Sequence, residues 1–418
     1  MEDWQFLQLR HFRLPPSVDQ SIDPFMSELS SASIENFSLT RGGPLHRVLV
    51  RLGSAGDDRR LVVKRALVAS LFLWLPMLVL SLMQGKAYGT SVKVVFLRDI
   101  AVNVRFLIAV PILILAESGI DKTWRLLVHH FLQSGLVTEK ERPAFEAIIA
   151  KTIRWRDRVW PEAVMVLLAF LPLLFTRTEP LMSTVSNWHG GAISGTISPA
   201  GRWFNLIATP IFRFLLMRWI WRMALWTSFL WRAARLNLYY VATHSDLAAG
   251  LGFLSEGQKA FSPIVFAGGS VIAAQVANAI LYEGATLSSQ KLPMIAYGVL
   301  AILCLLAPLT VVSPVLFKIK RRALREYGAL VTKHNQLFDQ KWILEEREPG
   351  EQMLGHPDAS SLVDLGSSFT VVRQMGLVPI DKPTLIILAI SAAIPMIAVA
   401  LYATPTNELI HMVLKMLG

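Results

Sequence analysis

The apolar residues of this chain are gathered into runs of roughly 20, the length an α-helix needs to cross the hydrocarbon core of a bilayer. Seven stretches qualify: residues 66–85, 99–118, 161–175, 203–231, 262–282, 294–317 and 384–403. Lipid offers no water to an unpaired backbone N–H or C=O, so such spans must be helical. The third is short and has Glu162 near its start, which predicts a tilted or partly re-entrant helix. Composition agrees: 53% of the 418 residues are hydrophobic and 17% charged, against about 25% charged in a soluble domain. The expected fold class is all-α, a polytopic helical membrane protein with about seven transmembrane helices and cytoplasmic helical loops. A conventional water-soluble enzyme is not the expected class.

Orientation follows from the cations. With the N-terminus inside, 30 of the 41 Lys and Arg fall in inside segments, 7 in outside segments and 4 within spans. That asymmetry is what the positive-inside rule expects, and it places the C-terminus outside. Losing or adding one span would move the 10 cations of residues 318–383 to the other side. Trp74, Trp155, Trp160, Trp203 and Trp231 lie near predicted span ends, where amphipathic rings favour the headgroup region. A net charge of +11 would suggest a nucleic-acid partner in a soluble chain. Here orientation accounts for the excess, and no nucleic acid is implied. The segment before the first span lacks an apolar core with a small-residue cleavage site, so it does not read as a signal peptide. Cys304 is the single cysteine, which excludes an internal disulfide.

The expected organisation is a cytoplasmic N-terminal segment (1–65), spans one to six (66–317) with a cytoplasmic helical loop at 119–160, a cytoplasmic helical segment (318–383), and the seventh span with a short outside tail (384–418). Within the first loop, Thr138-Glu139-Lys140-Glu141 is a capping-box pattern ahead of Phe145, Ile148, Ile149, Thr152 and Ile153. Leu324, Tyr327, Val331, His334, Phe338 and Trp342 make one apolar stripe, predicting a helix that continues span six into the cytosol. Pro349-Gly350 should break it, and a second helix over 359–375 follows with Asp358 as N-cap. The outer loop 177–202, with Trp188-His189-Gly190-Gly191, reads as a turn near the membrane surface. No long repeat stands out. A short echo links Thr243-His244-Ser245-Asp246 and Gly355-His356-Pro357-Asp358, each followed by a Leu-Gly pair.

Charge inside the spans is the sharpest functional feature, since an arginine at a helix centre costs about 2.5 to 3.5 kcal/mol on insertion scales. Arg105 lies in the second span and Arg213, Arg218 and Arg222 in the fourth. Arg218 and Arg222 share a helix face, and Arg222 lies about 15 Å from a boundary at Arg232. Only Asp99, Glu117 and Glu162 are acidic within spans, which leaves the arginines short of obvious partners. Either they stack on Trp219, Trp221 or Trp226, or an anion or lipid phosphate completes the site. The candidate pathway is Arg105, Arg218, Arg222 and Glu117. Prolines at 76, 111, 172, 210, 308, 314 and 395 predict kinks, and Gly269, Ala273 and Ala277, beside Gln275 and Asn278, predict a close helix contact.

His244 and Asp246 with His356 and Asp358 could ligate a divalent cation if their loops converge, whereas the other use of such residues is helix capping. Residues 252–259 lack the Lys-Ser/Thr of a phosphate loop. No Gly-x-Ser-x-Gly, His-Glu-x-x-His or EF-hand pattern occurs, and no nucleophile, base and metal set can be assembled, so neither enzyme chemistry nor a cofactor is implied. Thr243-His-Ser-Asp246 with Ala249-Gly-Leu-Gly-Phe-Leu254, Arg321-Arg322-Ala-Leu-Arg-Glu-Tyr-Gly328 and 362–379 resemble a group of bacterial multi-pass inner-membrane proteins of no assigned activity. The resemblance covers roughly the C-terminal half, departs at Ser245 where proline is expected, and implies a bacterial inner membrane but no substrate. Two functions remain: a transporter or channel for an anion or anionic lipid using the intramembrane arginines, or a membrane scaffold or signalling anchor docking a cytoplasmic protein through 318–381.

Overall fold

The computed structural model describes residues 37–51, 58–175, 185–190, 197–344, 351–353 and 355–403. Most of the N-terminal segment, the Gly191 side of the outer loop, the Pro349-Gly350 break and the tail beyond 403 lie outside these residues. The regular structure of the described residues is all helical, without a strand; one isolated parallel bridge joins Val94 to Asn187.

Each of the seven apolar runs forms helix. Five helices are long and apolar enough to cross a membrane: Arg59–Met83 (α2), Ile100–Gln133 (α3), Leu254–Glu283, Lys291–Thr310 (α9) and Lys382–Ala403 (α12). The first of these follows α1, Gly43–Arg51. Leu254–Glu283 consists of a short helix, Leu254–Lys259 (α7), and a long one, Ser262–Glu283 (α8). The other two runs depart from that pattern for different reasons. Val159–Phe175 (α5), which follows the amphipathic Arg142–Arg156 (α4), has only 17 residues. Residues 199–233 (α6) are long, but Arg213, Arg218 and Arg222 dilute their hydropathy.

Two predicted boundaries move. The sixth run does not continue straight into a cytosolic helix: α9 ends at Thr310, and a new helix, Ser313–Phe338 (α10), starts with Pro314 in its first turn. Proline suits that position because a first-turn N–H has no intrahelical partner to lose. The next helix is Pro357–Gln374 (α11), and its N-cap is His356, whose side chain accepts from the Asp358 N–H, rather than Asp358 itself. Helices α10 and α11 form a hairpin in which Phe369 covers Gly328.

A long repeat, absent from the sequence reading, emerges in α3 and α6. Asp99 and Ser198 each cap a five-residue α-helical segment by accepting from the N–H three residues on. Each segment widens into a five-residue π-turn, Arg105–Ala109 and Phe204–Ala208, and then runs on as a long α-helix. Proline causes the widening. Pro111 and Pro210 have no N–H to give, and the residue before each bonds five positions back, Val110 to the Arg105 carbonyl and Thr209 to that of Phe204. Corresponding positions are 99 residues apart throughout, and the signal is legible once aligned: Leu107-Ile-Ala-Val-Pro111 against Leu206-Ile-Ala-Thr-Pro210. An apolar helix precedes each copy, α2 and α5, and the two intervening loops meet at the Val94–Asn187 bridge.

The other side of the bundle is held by α8 against α12, where Gly269 lets the helices approach as the small-residue pattern predicted. A Cβ at Gly269 would stand 3.3 Å from the Ala392 carbonyl, whereas nothing lies within 4 Å of one at Gly298 on α9. Gly269→Leu is accordingly expected to lower the melting temperature of the detergent-purified protein, by an overpacking cost of about 1–3 kcal/mol. Gly298→Leu should leave melting unchanged, and equal melting of the two variants would contradict the packing described.

Candidate functional site

Helix α3 carries Glu117 and, one turn on, Asp121, and each carboxylate gathers a separate set of donors. Glu117 faces two helices. Its Oε1 accepts from Arg222 Nη2 at 2.9 Å and Arg218 Nη1 at 3.4 Å, both on α6; its Oε2 accepts from Arg65 Nη2 at 3.0 Å on α2. Arg218 and Arg222 reach the same oxygen because four residues return a side chain to the same helix face. Only 4% of the Arg222 side chain and 13% of the Glu117 side chain is exposed. Trp219 stacks beneath Arg222, whose guanidinium carbon lies 4.6 Å from the ring centroid, and the indole donates to the Leu113 carbonyl. Arg222 Nη1 is buried without a hydrogen-bond partner.

Of the candidate pathway residues, the structure brings Arg218, Arg222 and Glu117 together, so the arginines that lack an obvious acid in the sequence both pair with Glu117. It also adds Arg65, which by position looked like one more orienting charge ahead of a span. Three guanidiniums against one carboxylate leave two formal positive charges in a largely dry site, where Coulomb forces are several times stronger than in water. Arg105 is not part of this group. It lies between the rings of Phe204 and Phe212 at 5.8 and 5.6 Å, in the π-turn region, and Arg213 reaches toward the Ala169 carbonyl.

Asp121 anchors the N-terminal segment beside this cluster. Its Oδ1 accepts from Ser38 Oγ, Leu39 N and Thr40 N, while Arg125 and Arg41 approach Oδ2. Gly43 N donates to Asp157 and Leu45 N to Glu162, so residues 37–45 are fixed at four places to α3 and the α4–α5 corner, with Phe37 packed on Phe229. On α1, burial and then the Arg156 and Arg65 guanidiniums hold the His46 imidazole below its ordinary pKa.

At the far end of α3, the loop carrying Trp188 and His189 is more than a turn. Trp188 is fully buried, donates its indole N–H to Asp99 Oδ2 at 2.9 Å, and packs edge-on against Phe96. Asn278 of α8 donates to Asp99 Oδ1 and accepts from Ile100 N, the interhelical bond expected of it, while Gln275 is exposed. The His189 carbonyl would sit 2.3 Å from a Cβ at Gly201, which explains a glycine there.

The two His-x-Asp pairs stay apart. Among the described residues no group of three or more His, Cys, Asp or Glu is placed to hold a metal. Asp358 and Glu351 flank the Lys341 ammonium, at 3.0 and 2.6 Å from its Nζ, and the His356 ring lies against the same two carboxylates. The loop of Asp246 meets the opposite end of α11, where Gly376 N donates to the Leu247 carbonyl. Asp246 instead accepts three backbone N–H groups, from Ala248, Gly250 and Gly252, in a loop where Leu247 and Ala249 both take φ of 55°. That left-handed conformation costs a side-chain-bearing residue about 1–2 kcal/mol, and the carboxylate offsets it.

No family model matches the sequence, and no curated protein or solved structure is similar to it.

Glu117→Ala leaves three buried guanidiniums uncompensated and is expected to cost about 3–5 kcal/mol, read as a lower melting temperature in detergent. The Glu117→Leu, Arg222→Met double variant should recover part of that loss, and simple additivity of the two changes would refute the coupling. For Asp246, burial alone would raise the carboxyl pKa, but the N–H groups of Ala248, Gly252 and Gly250 and the neighbouring His244 outweigh it and hold the pKa below the usual range. Its stabilisation is then present above the unfolded value near about 4 and is lost as pH falls through the folded one. Asp246→Asn should cost about 1–3 kcal/mol at neutral pH, and the gap to wild type should close on acidification; a gap constant with pH would overturn this reading.

Proposed function

We propose that the chain is a multi-pass protein of a bacterial inner membrane, spanning it seven times with its N-terminus in the cytoplasm, and that its bundle binds and passes an anionic group at Arg65, Glu117, Arg218 and Arg222. The carrying observation is the charge imbalance: three guanidiniums meet one carboxylate, and Arg222 Nη1 points at no acceptor. A guanidinium fork matches the oxygens of a phosphate or carboxylate, so an anion would satisfy the orphaned donor and lower the repulsion among the arginines. Pairing with Glu117 also makes α6 tolerable as a span, because the arginines need not face lipid. The π-turns of α3 and α6 contribute widened backbone at a depth where transporters commonly interrupt their helices.

Reconstitution into proteoliposomes tests this, with chloride, inorganic phosphate and a fluorescent phosphatidylglycerol as probes. Arg222→Ala and Arg218→Ala should lower the flux of the transported probe at least about tenfold while inserting normally, since each removes about one charge-assisted bond. A purified, correctly inserted Arg222→Ala that moves every probe as wild type does would sink the reading.

A second reading, a membrane anchor for a cytoplasmic protein, rests on the hairpin of α10 and α11. Leu330, Leu337 and Leu344 recur every seven residues and are all more than half exposed, as is Val363 on α11. A partner captured by wild type and released on deletion of residues 357–374 would favour it over transport.

A further inference from the structure

A second cationic site, independent of the buried arginines, opens where α4 crosses the end of α6. A cavity of about 340 Å³ is lined by Ala147, Ile148 and Lys151 of α4 and by Trp231, Arg232 and Arg235 at and just beyond the end of α6. The lining holds three cations and no acid, and none of the three side chains has an acidic partner among the described residues. Arg235 is pre-organised: its guanidinium carbon sits 3.5 Å from the centroid of the Trp231 ring, which fixes the plane of the fork and leaves its edge free to donate.

We propose that this cavity binds the phosphate group of an anionic phospholipid. The chemistry common to such ligands is a phosphate ester oxygen pair, which two guanidiniums and an ammonium recognise and which Ala147 and Ile148 would leave unsolvated on its apolar side. The neighbouring surface identifies a lipid as its source. On α6, Ile220, Ala224 and Trp231 are exposed, and Ile220 and Trp231 stand 11 residues apart, about three helical turns, on one face. That stripe runs from the flank of the bundle to the cavity, so an acyl chain lying along it delivers its headgroup to Arg232 and Arg235. Trp231 at the mouth has the amphipathic ring favoured at the depth of lipid headgroups. Basic pockets between helices at the cytoplasmic end of a bundle are places where anionic headgroups collect, and each cation near a charged surface strengthens attraction about fivefold.

Native mass spectrometry of the full chain, released from micelles holding equimolar phosphatidylglycerol and phosphatidylcholine, reads this directly. Wild type should retain phosphatidylglycerol in preference, at a stoichiometry of at least one. Lys151→Gln, Arg232→Gln and Arg235→Gln combined should lower that preference by at least about tenfold. Lys151 and Arg235 are exposed and Arg232 is half-buried, so folding is expected to survive; melting temperature checks this, and Arg235→Gln alone should still lower the preference about fivefold. Millimolar inorganic phosphate and glycerol phosphate form the remaining arm: failure to displace the lipid supports a membrane ligand, and stoichiometric displacement overturns the lipid assignment in favour of a soluble phosphate. Equal retention of both lipids by wild type, or an undiminished preference in the triple variant, overturns the proposal outright. None of these residues belongs to the Glu117 cluster, so failure here leaves the anion pathway standing, and failure of the pathway leaves this site standing.

Discussion

A carboxylate withdrawn from water must be met by donors, and Glu117 is met by three guanidiniums from two helices separated from it by 52 and about 100 residues in sequence. Much of the molecule's order follows from that demand. Arg65 can reach Glu117 only if α2 lies along α3, and Arg218 and Arg222 only if α6 does. Once the three helices are fixed, Asp121, one turn on, is pointed at the segment that precedes α2 and gathers Ser38, Leu39 and Thr40. Helix α3 is thus a spine with acids at Asp99, Glu117 and Asp121, each tying a different part of the chain to it. Replacing any of them by an apolar residue would leave buried donors behind, a heavier penalty than the loss of a bond at the surface.

The paired architecture of α3 and α6 shows why proline serves a membrane protein here. Each copy gives up a backbone bond at Pro111 or Pro210 and recovers it by stepping to a bond five residues back. The freed geometry is used: Ser70 of α2 donates to the Phe106 carbonyl within one π-turn, and Arg105 of that turn reaches the aromatic rings of the other copy. A defect that would be left unsatisfied in hydrocarbon becomes the contact surface between repeats.

What was legible in the sequence was local. Each of the seven apolar runs is helical, and five are long and apolar enough to cross a membrane, because a bilayer imposes its thickness on composition; Gly269 with Ala273 announced a close contact because only small residues permit one. The sixth-run hinge between Thr310 and Ser313 is invisible to run length because hydropathy is continuous across it while the backbone is not. Arg218 and Arg222 lack an obvious acid in the sequence because Glu117 stands about 100 residues away, and nothing in the spacing shows that its two oxygens serve three guanidiniums. The Trp188 loop read as a bland turn from its Gly, Ser and Thr; its role comes from a carboxylate at Asp99, about 90 residues away, that no window over the loop contains.

The two cationic places in this chain differ in what surrounds them, and that difference decides what each can hold. Around Glu117 the guanidiniums are fixed by each other's partner, by Trp219 and by burial, so a ligand entering there must displace or join an existing ion pair and gains only the imbalance. At Trp231 the cations have no acid to surrender and remain half in water, so an anion meets no competitor but also little dielectric help. Exchange is fast where attraction is weak and uncontested, and selectivity is high where the site is dry and preorganised. From the turn after α6 back along the helix, Arg235 and Arg232 come first and Arg222 and Arg218 follow, so the uncontested cations stand at the edge of the bundle and the ion-paired ones in its interior.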